Sequence, residues 1–115
     1  MVNNNQLKKP PVVWSIASSD SGGGTGIQAD LHTFHDFDVY GCTVITAVSA
    51  QNSFTQGYVV ATERKSVVAQ INALDSDMPA KAIKIGMLPN RKIMETVIKY
   101  LVDYTGLVVY DMELQ

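Results

Sequence analysis

The chain has 115 residues, 46% of them in the AVILMFWYC set and 17% charged, which is enough apolar material for one folded domain and too little charge for a disordered chain. Nine Lys and Arg against eleven Asp and Glu give a formal net charge of −2, so no basic excess exists to neutralise a phosphate backbone and nucleic acid is not an expected partner. The single cysteine, Cys42, excludes an intrachain disulfide framework and a cysteine-rich zinc site, and it fits a reducing, cytoplasmic compartment. No apolar run approaches the ~20 residues of a membrane helix, so no membrane partner is expected. The apolar stretch after Lys8 and Lys9 follows Pro10 and Pro11 and is shorter than the roughly 7–15 residues of a secretory signal. Residues 1–11 read as a flexible polar tail, and 12–115 as one folded unit.

Val12 to Ala17 is a short β-branched apolar run, the pattern of a strand buried on both faces in a parallel sheet. A Ser/Gly loop follows over residues 18–26. Ile27, Leu31 and Phe34 then recur at spacings of four and three, which predicts a helix over roughly 26–37. Val39 to Ala50 reads as a second central strand, and Tyr58 to Ala61 as a short third one after the Gly57 turn. Val67, Val68, Ile71 and Leu74 mark a helix over roughly 63–75, with Asp75 and Asp77 in a solvent-facing loop at its end. Ala82 to Met87 is a strand closing at a glycine. Ile93, Met94, Val97, Ile98, Leu101 and Val102 give the clearest helix, about 90–104, with Gly106 as a left-handed terminating residue. Leu107 to Tyr110 begins another buried strand. The alternation predicts an α/β layer fold with a mostly parallel sheet.

The loop at 18–26 joins a strand end to a helix start, where a parallel sheet places its ligands. Its glycines allow close backbone approach, and the helix N-terminus offers free N–H groups. Neither phosphate fingerprint fits. Ile27 and no lysine follows Gly26, and Ile27 or Ala29 stands where the third glycine of G-x-G-x-x-G belongs. The loop is a ligand loop by position, or else a plain glycine-rich connector. Asp30, in the first turns of the helix, suits the helix dipole with or without a ligand. Gln51 and Asn52 close the second strand. If the two strands are neighbours, Asp30 and Gln51 face one crevice, and the Gln51 amide matches an aminopyrimidine edge; a strand-end glutamine that only meets water is the alternative.

Four blocks in order carry a resemblance: Ile16 to Leu31 (IASSDSGGGTGIQADL), Tyr40 to Ala47 (YGCTVITA), Ala50-Gln51-Asn52, and Lys84 to Leu88 (KIGML). Over about residues 12–111 the chain resembles the hydroxymethylpyrimidine/phosphomethylpyrimidine kinases of thiamine biosynthesis, in the ribokinase-like superfamily. The resemblance implies a ribokinase-like three-layer sandwich and ATP-dependent phosphorylation, first of the pyrimidine hydroxymethyl group and then of the monophosphate, with Mg2+ as the accompanying ion. It implies that Gln51 pairs with the aminopyrimidine edge and Asp30 with the hydroxymethyl group. Gly24 and Thr25 would supply backbone contacts, and Ser49 and Met87 would line the pocket. Asp111 matches a strand-end aspartate near the phosphates and metal, although Met112-Glu113-Leu114 departs from the family's usual Pro or Thr followed by Val and Met.

Family members run to roughly twice this length within one α/β domain, and their second half carries the ATP site and a glycine-rich anion hole. The chain therefore reads as the pyrimidine-binding half of such a kinase, truncated and inactive alone, with a bare sheet edge that invites a second copy or a complementary chain. The alternatives are an inactive pyrimidine-binding or oligomerisation module, and kinship with pyridoxal kinase. His32 and His35 lack a third metal ligand, Cys42 and Trp14 read as core, and Lys84 reads as a strand lysine at the sheet rim.

Overall fold

The computed structural model describes residues 9–111, so most of the expected polar tail and the divergent Met112-Glu113-Leu114 lie outside the described residues. Eight elements follow in chain order: β1 (Val12–Asp20), α1 (Gly26–Asp36), β2 (Tyr40–Gln51), β3 (Gln56–Ala61), α2 (Arg64–Asp77), β4 (Ala82–Ile85), α3 (Arg91–Leu101) and β5 (Leu107–Tyr110). They form one sheet in the order β3-β2-β1-β4-β5. β1 is parallel to β2 and β4, and β4 to β5, while β3 returns antiparallel along β2. The mostly parallel α/β sheet expected from the alternation is present.

Alternation along the strands separates two faces. Trp14, Ile16, Cys42, Val44, Ile83 and Ile85 point to one side and pack with Val67 and Ile71 of α2 and Ile93 and Val97 of α3. Trp14 is fully buried, donates its indole N–H to the Met78 carbonyl at 2.8 Å and stacks on Tyr100 with ring centroids 5.6 Å apart. The intervening residues meet α1: Ser15 reaches Asp30, and a Cβ at Gly41 would run into Leu31 and Phe34. That close approach favours glycine at position 41, since any side chain there would push the Leu31 and Phe34 side chains aside. One helix on one face and two on the other make three layers.

Four expectations are corrected. β1 does not stop at Ala17. After a register irregularity it continues to pair Ser19 and Asp20 with Val48 and Ser49, because Gln28 satisfies these polar residues through the Ser19 hydroxyl and the Asp20 N–H. β5 is an exposed edge strand rather than a buried one, with Leu107, Val108, Val109 and Tyr110 65%, 39%, 50% and 53% exposed. Helix α3 ends at Leu101, and Gly106 is not left-handed; what Gly106 provides is room, since a Cβ there would strike the Tyr104 ring and the Lys81 carbonyl. Asp75 lies inside α2 and accepts the Tyr100 hydroxyl at 2.8 Å; burial first, then this carboxylate, pushes the Tyr100 phenol up from its ordinary range. Trp14 and Cys42 are core residues as expected, and burial pushes the Cys42 thiol up.

Gly26 opens α1 with φ +65°, and a Cβ there would overlap the Ser18 carbonyl oxygen. Both strain and clash oppose any side chain. Gly26→Ala should lower stability by on the order of 1–3 kcal/mol in urea unfolding; an unchanged midpoint would show that the loop relaxes around the methyl group.

Candidate functional site

The loop between β1 and α1 lies over the carboxyl ends of β1 and β2, and Asp20 at the end of β1 organises it. Its carboxylate is 2% exposed. Oδ1 accepts from the Gly22 N–H at 2.8 Å; Oδ2 accepts from the Gly24 N–H at 3.0 Å, the Thr25 N–H at 2.9 Å and the Thr25 hydroxyl at 3.0 Å. Burial by itself would raise the carboxyl's pKa. The hydrogen bonds from Gly22 and Thr25, with the NH2 end of Gln51 close by, outweigh it and hold the group below its ordinary value. Sequence reasoning passed over Asp20. Its signal was an aspartate followed by glycines and a threonine, the donors a turn folds back onto a carboxylate.

The same loop is stitched to the end of β2. Ser21 donates its N–H to the Ser49 carbonyl at 3.1 Å and its hydroxyl to the Gln51 carbonyl at 2.6 Å, and the Gln51 N–H donates back to the Ser21 hydroxyl at 2.9 Å. The Gln51 side chain is held at both ends: Oε1 accepts from the Ser49 hydroxyl at 2.8 Å, and Nε2 donates to the Thr25 hydroxyl at 3.1 Å. A primary amide has two donors and two acceptor lone pairs. One of each therefore remains for a ligand. Ser49 is buried at 1% exposure and reaches a ligand only through Gln51. The N–H groups of Gly24 and Thr25 are both spent on Asp20 and the Thr25 carbonyl accepts from the Ala29 N–H, which leaves the Gly24 carbonyl for a backbone contact.

A shallow depression of about 280 Å³ opens beside this pair, lined by Thr25, Gln51, Asn52, Ser53, Phe54 and Thr55. Asn52 shapes the turn: its side-chain oxygen accepts from the Phe54 N–H at 2.8 Å and the Thr55 N–H at 2.9 Å. The turn holds Phe54 with its ring 92% exposed. An aromatic ring bared beside a polar pair is a stacking surface for a flat heterocycle. Sequence reasoning missed it too, because a lone Phe between Ser and Thr carries no periodic signal.

Asp30 lies off this depression, in the seam between α1 and the sheet. Its Oδ2 accepts from the Ser15 hydroxyl at 2.7 Å and the Lys84 ammonium at 2.9 Å. Lys84 is therefore turned inward to an ion pair rather than out at the sheet rim, and it also stands 3.7 Å from Asp111 at the end of β5. Both protein contacts of Asp30 fall on Oδ2, so Oδ1 is the oxygen open to a ligand. Thr25, the partner of Gln51, caps the helix that carries Asp30 five residues on, about 7.5 Å along the axis. Ser15 lies midway along β1, five residues and roughly 16 Å before Asp20, so the structure does not bring Asp30 into one crevice with Gln51, whose amide stands at the strand end beside Ser49 and Thr25. The Met87 carbonyl accepts from the buried Thr46 hydroxyl at 2.7 Å, which pins the segment after β4 against β2.

No three His, Cys, Asp or Glu side chains gather around one point among the described residues, and Asp111 is paired with Lys84. These residues do not make up an Mg2+ site, and no step through a metal follows from them.

A family profile described as phosphomethylpyrimidine kinase matches residues 20–113. The hydroxymethylpyrimidine/phosphomethylpyrimidine kinase of Synechococcus elongatus is 51% identical over 87 residues, 76% of this chain and 33% of the relative. That of Bacillus subtilis is 43% identical over 78% of this chain and 33% of the relative. The chain spans about a third of the length of the curated relatives it matches. Among solved structures, phosphomethylpyrimidine kinase from Clostridium difficile superposes with a TM-score of 0.84 at 40% identity, covering 88% of this chain and 44% of that one. Pyridoxal kinase of Bacillus subtilis, in an ADP complex, gives 0.81 at 36% identity over 90% and 40%. Pyridoxal kinase of Staphylococcus aureus, in complex with AMP-PCP and pyridoxal, gives 0.80 at 30% over 94% and 41%. The expected ribokinase-like sandwich is the fold shared with these kinases, of which the chain covers less than half. With its glycine loop, its strand-end glutamine and a profile match running through both, the chain belongs to the phosphomethylpyrimidine kinase family.

Proposed function

We propose that this chain is the pyrimidine-binding part of a cytoplasmic kinase of thiamine biosynthesis, which phosphorylates 4-amino-5-hydroxymethyl-2-methylpyrimidine and then its monophosphate at the expense of ATP. The observation that carries the reading is the Gln51 amide, fixed between Ser49 and Thr25 with one donor and one acceptor free beside the bared ring of Phe54. A ring nitrogen takes the donor, the exocyclic amine takes the acceptor, and the heterocycle lies against the aromatic face. Ser15 and Lys84 hold the Asp30 carboxylate away from this depression, so in this arrangement the Asp30 contact to the substrate hydroxyl would need α1 to shift toward Gln51. The Gly24 carbonyl, the Thr25 side chain and Met87 complete the pocket. The nucleotide complexes of the pyridoxal kinases support ATP as the phosphoryl donor. Mg2+ would accompany the nucleotide, with Asp111 as the residue of this chain nearest to that role.

Phosphoryl transfer rests on positioning and on neutralising charge on the moving group. On this reading the chain's part is to position a pyrimidine, and the one cation near Asp30 among the described residues is already engaged with it. The 115-residue chain should therefore bind without turning over. Isothermal titration with the hydroxymethylpyrimidine should give saturable heat, and Gln51→Leu should weaken binding by on the order of 1–3 kcal/mol, since it leaves two polar ring groups unpaired. Unaltered affinity in the variant would remove Gln51 from the site.

Mixing the chain with pyrimidine and Mg-ATP should yield no sustained phosphorylation; steady turnover would refute the assignment of this chain to binding alone. The similarity to pyridoxal kinases favours one competing reading. Pyridoxal offers no aminopyrimidine edge, so it should compete weakly, and equal competition would favour a pyridoxal site.

The exposed apolar β5 edge invites strand pairing, and we expect a second copy of the chain to occupy it. Light scattering after size exclusion should report an oligomer; a monodisperse monomer at micromolar concentration would count against this.

A further inference from the structure

A primary amide can turn end over end with almost no change of shape, exchanging its oxygen for its NH2 group. Both neighbours of the Gln51 amide are hydroxyls, and a hydroxyl can donate or accept. Neither alone decides which way the amide faces. Asp20 decides it through Thr25, and its carboxylate lies close enough to the NH2 end to favour the same sense. An ionised carboxylate only accepts, so the Thr25 hydroxyl, 3.0 Å from Oδ2, spends its single proton there. Toward Gln51 the same oxygen can then only accept, and only the NH2 end can supply the proton, across 3.1 Å. The amide oxygen is left facing Ser49, whose hydroxyl donates at 2.8 Å. The chain of bonds has one sense throughout, from Ser49 through Gln51 and Thr25 to Asp20.

We propose that the Asp20–Thr25 hydroxyl relay sets the donor–acceptor order of the Gln51 amide and so selects a ring edge of the amino type against one of the oxo type. An aminopyrimidine offers an acceptor nitrogen beside a donor amine. An oxopyrimidine offers the reverse, N–H beside C=O, and would suit the amide only if it were flipped. Asp20 touches no substrate in this scheme. It is a positioning residue acting through Thr25, whose hydroxyl carries a task separate from its backbone contacts. The ring-edge selection rests on the pyrimidine reading above; the amide orientation does not.

Thr25→Val tests the relay with little change of shape. It removes the hydroxyl and keeps the Thr25 N–H and the two glycine N–H groups on Asp20. In the free, isotope-labelled chain, the Gln51 side-chain NH2 protons should show nuclear Overhauser contacts to Thr25 and none to the Ser49 β-protons. In Thr25→Val the contacts to Ser49 should appear as the amide samples both orientations, and Thr25→Ser should restore the original pattern. Contacts to Ser49 in the unaltered chain, or an unchanged pattern in Thr25→Val, would overturn the relay.

Calorimetry with the amino and oxo forms of the hydroxymethylpyrimidine then reads selection. The unaltered chain should prefer the amino form about 10–100-fold, Thr25→Val should prefer it less than about threefold, and Thr25→Ser should recover the preference. Full preference in Thr25→Val, with the amino form still bound, overturns the relay and leaves the pyrimidine reading standing. Failure of the unaltered chain to bind either form overturns the pyrimidine reading and the ring-edge selection, while the proton contacts still decide the relay.

Discussion

The architecture of the ligand end depends on one buried carboxylate. Asp20 closes the central strand and collects the donors of Gly22, Gly24 and Thr25, and so draws a glycine-rich segment into a single course. Such a segment has more freedom to lose on folding than any other of its length. Charge-assisted hydrogen bonds are the strong ones, and four of them meet at one group. The course they impose brings the chain to Gly26, where a left-handed turn against the Ser18 carbonyl starts helix α1. Strand end, loop and helix start are thus one hydrogen-bonded unit.

Two consequences of that unit are spatial. The helix it launches carries Asp30 down over Ser15 and Lys84, placing a carboxylate in the seam between helix and sheet. The loop itself leans on the neighbouring strand through Ser21, which aligns the ends of β1 and β2 and sets Gln51 beside Thr25. Two polar side chains at different levels of the sheet are thus positioned by the same few residues. Of the two, Gln51 stands where a parallel sheet opens at the carboxyl ends of its strands.

Much of the layer structure was legible because it rests on periodicity. The β-branched runs at Val12 and Val39 and the four-and-three spacing of Ile27, Leu31 and Phe34 say which faces are apolar, and burial follows. What failed depended on neighbours the sequence does not announce. Leu107 to Tyr110 has a core-type composition, yet its exposure is decided by what stands beside β5. Ser19 and Asp20 look like loop residues until Gln28 answers their polar groups. Asp30 and Gln51 were readable as site candidates from position and from resemblance. Their partners were not: Lys84 is 54 positions from Asp30, and nothing local links them. Phe54 was invisible for a different reason, since a single bared ring has no pattern at all.

The central place of β1 in the sheet also bears on how the protein is made. Its partners are β2 and β4, so Trp14 and Ile16 leave the ribosome long before Ile83 and Ile85 exist to pack beside them. At the usual 5–20 residues per second, that interval is roughly 3–14 s. Throughout it the strand that is most completely buried in the folded protein waits half-paired, so its core residues stay open to water for the longest stretch of synthesis.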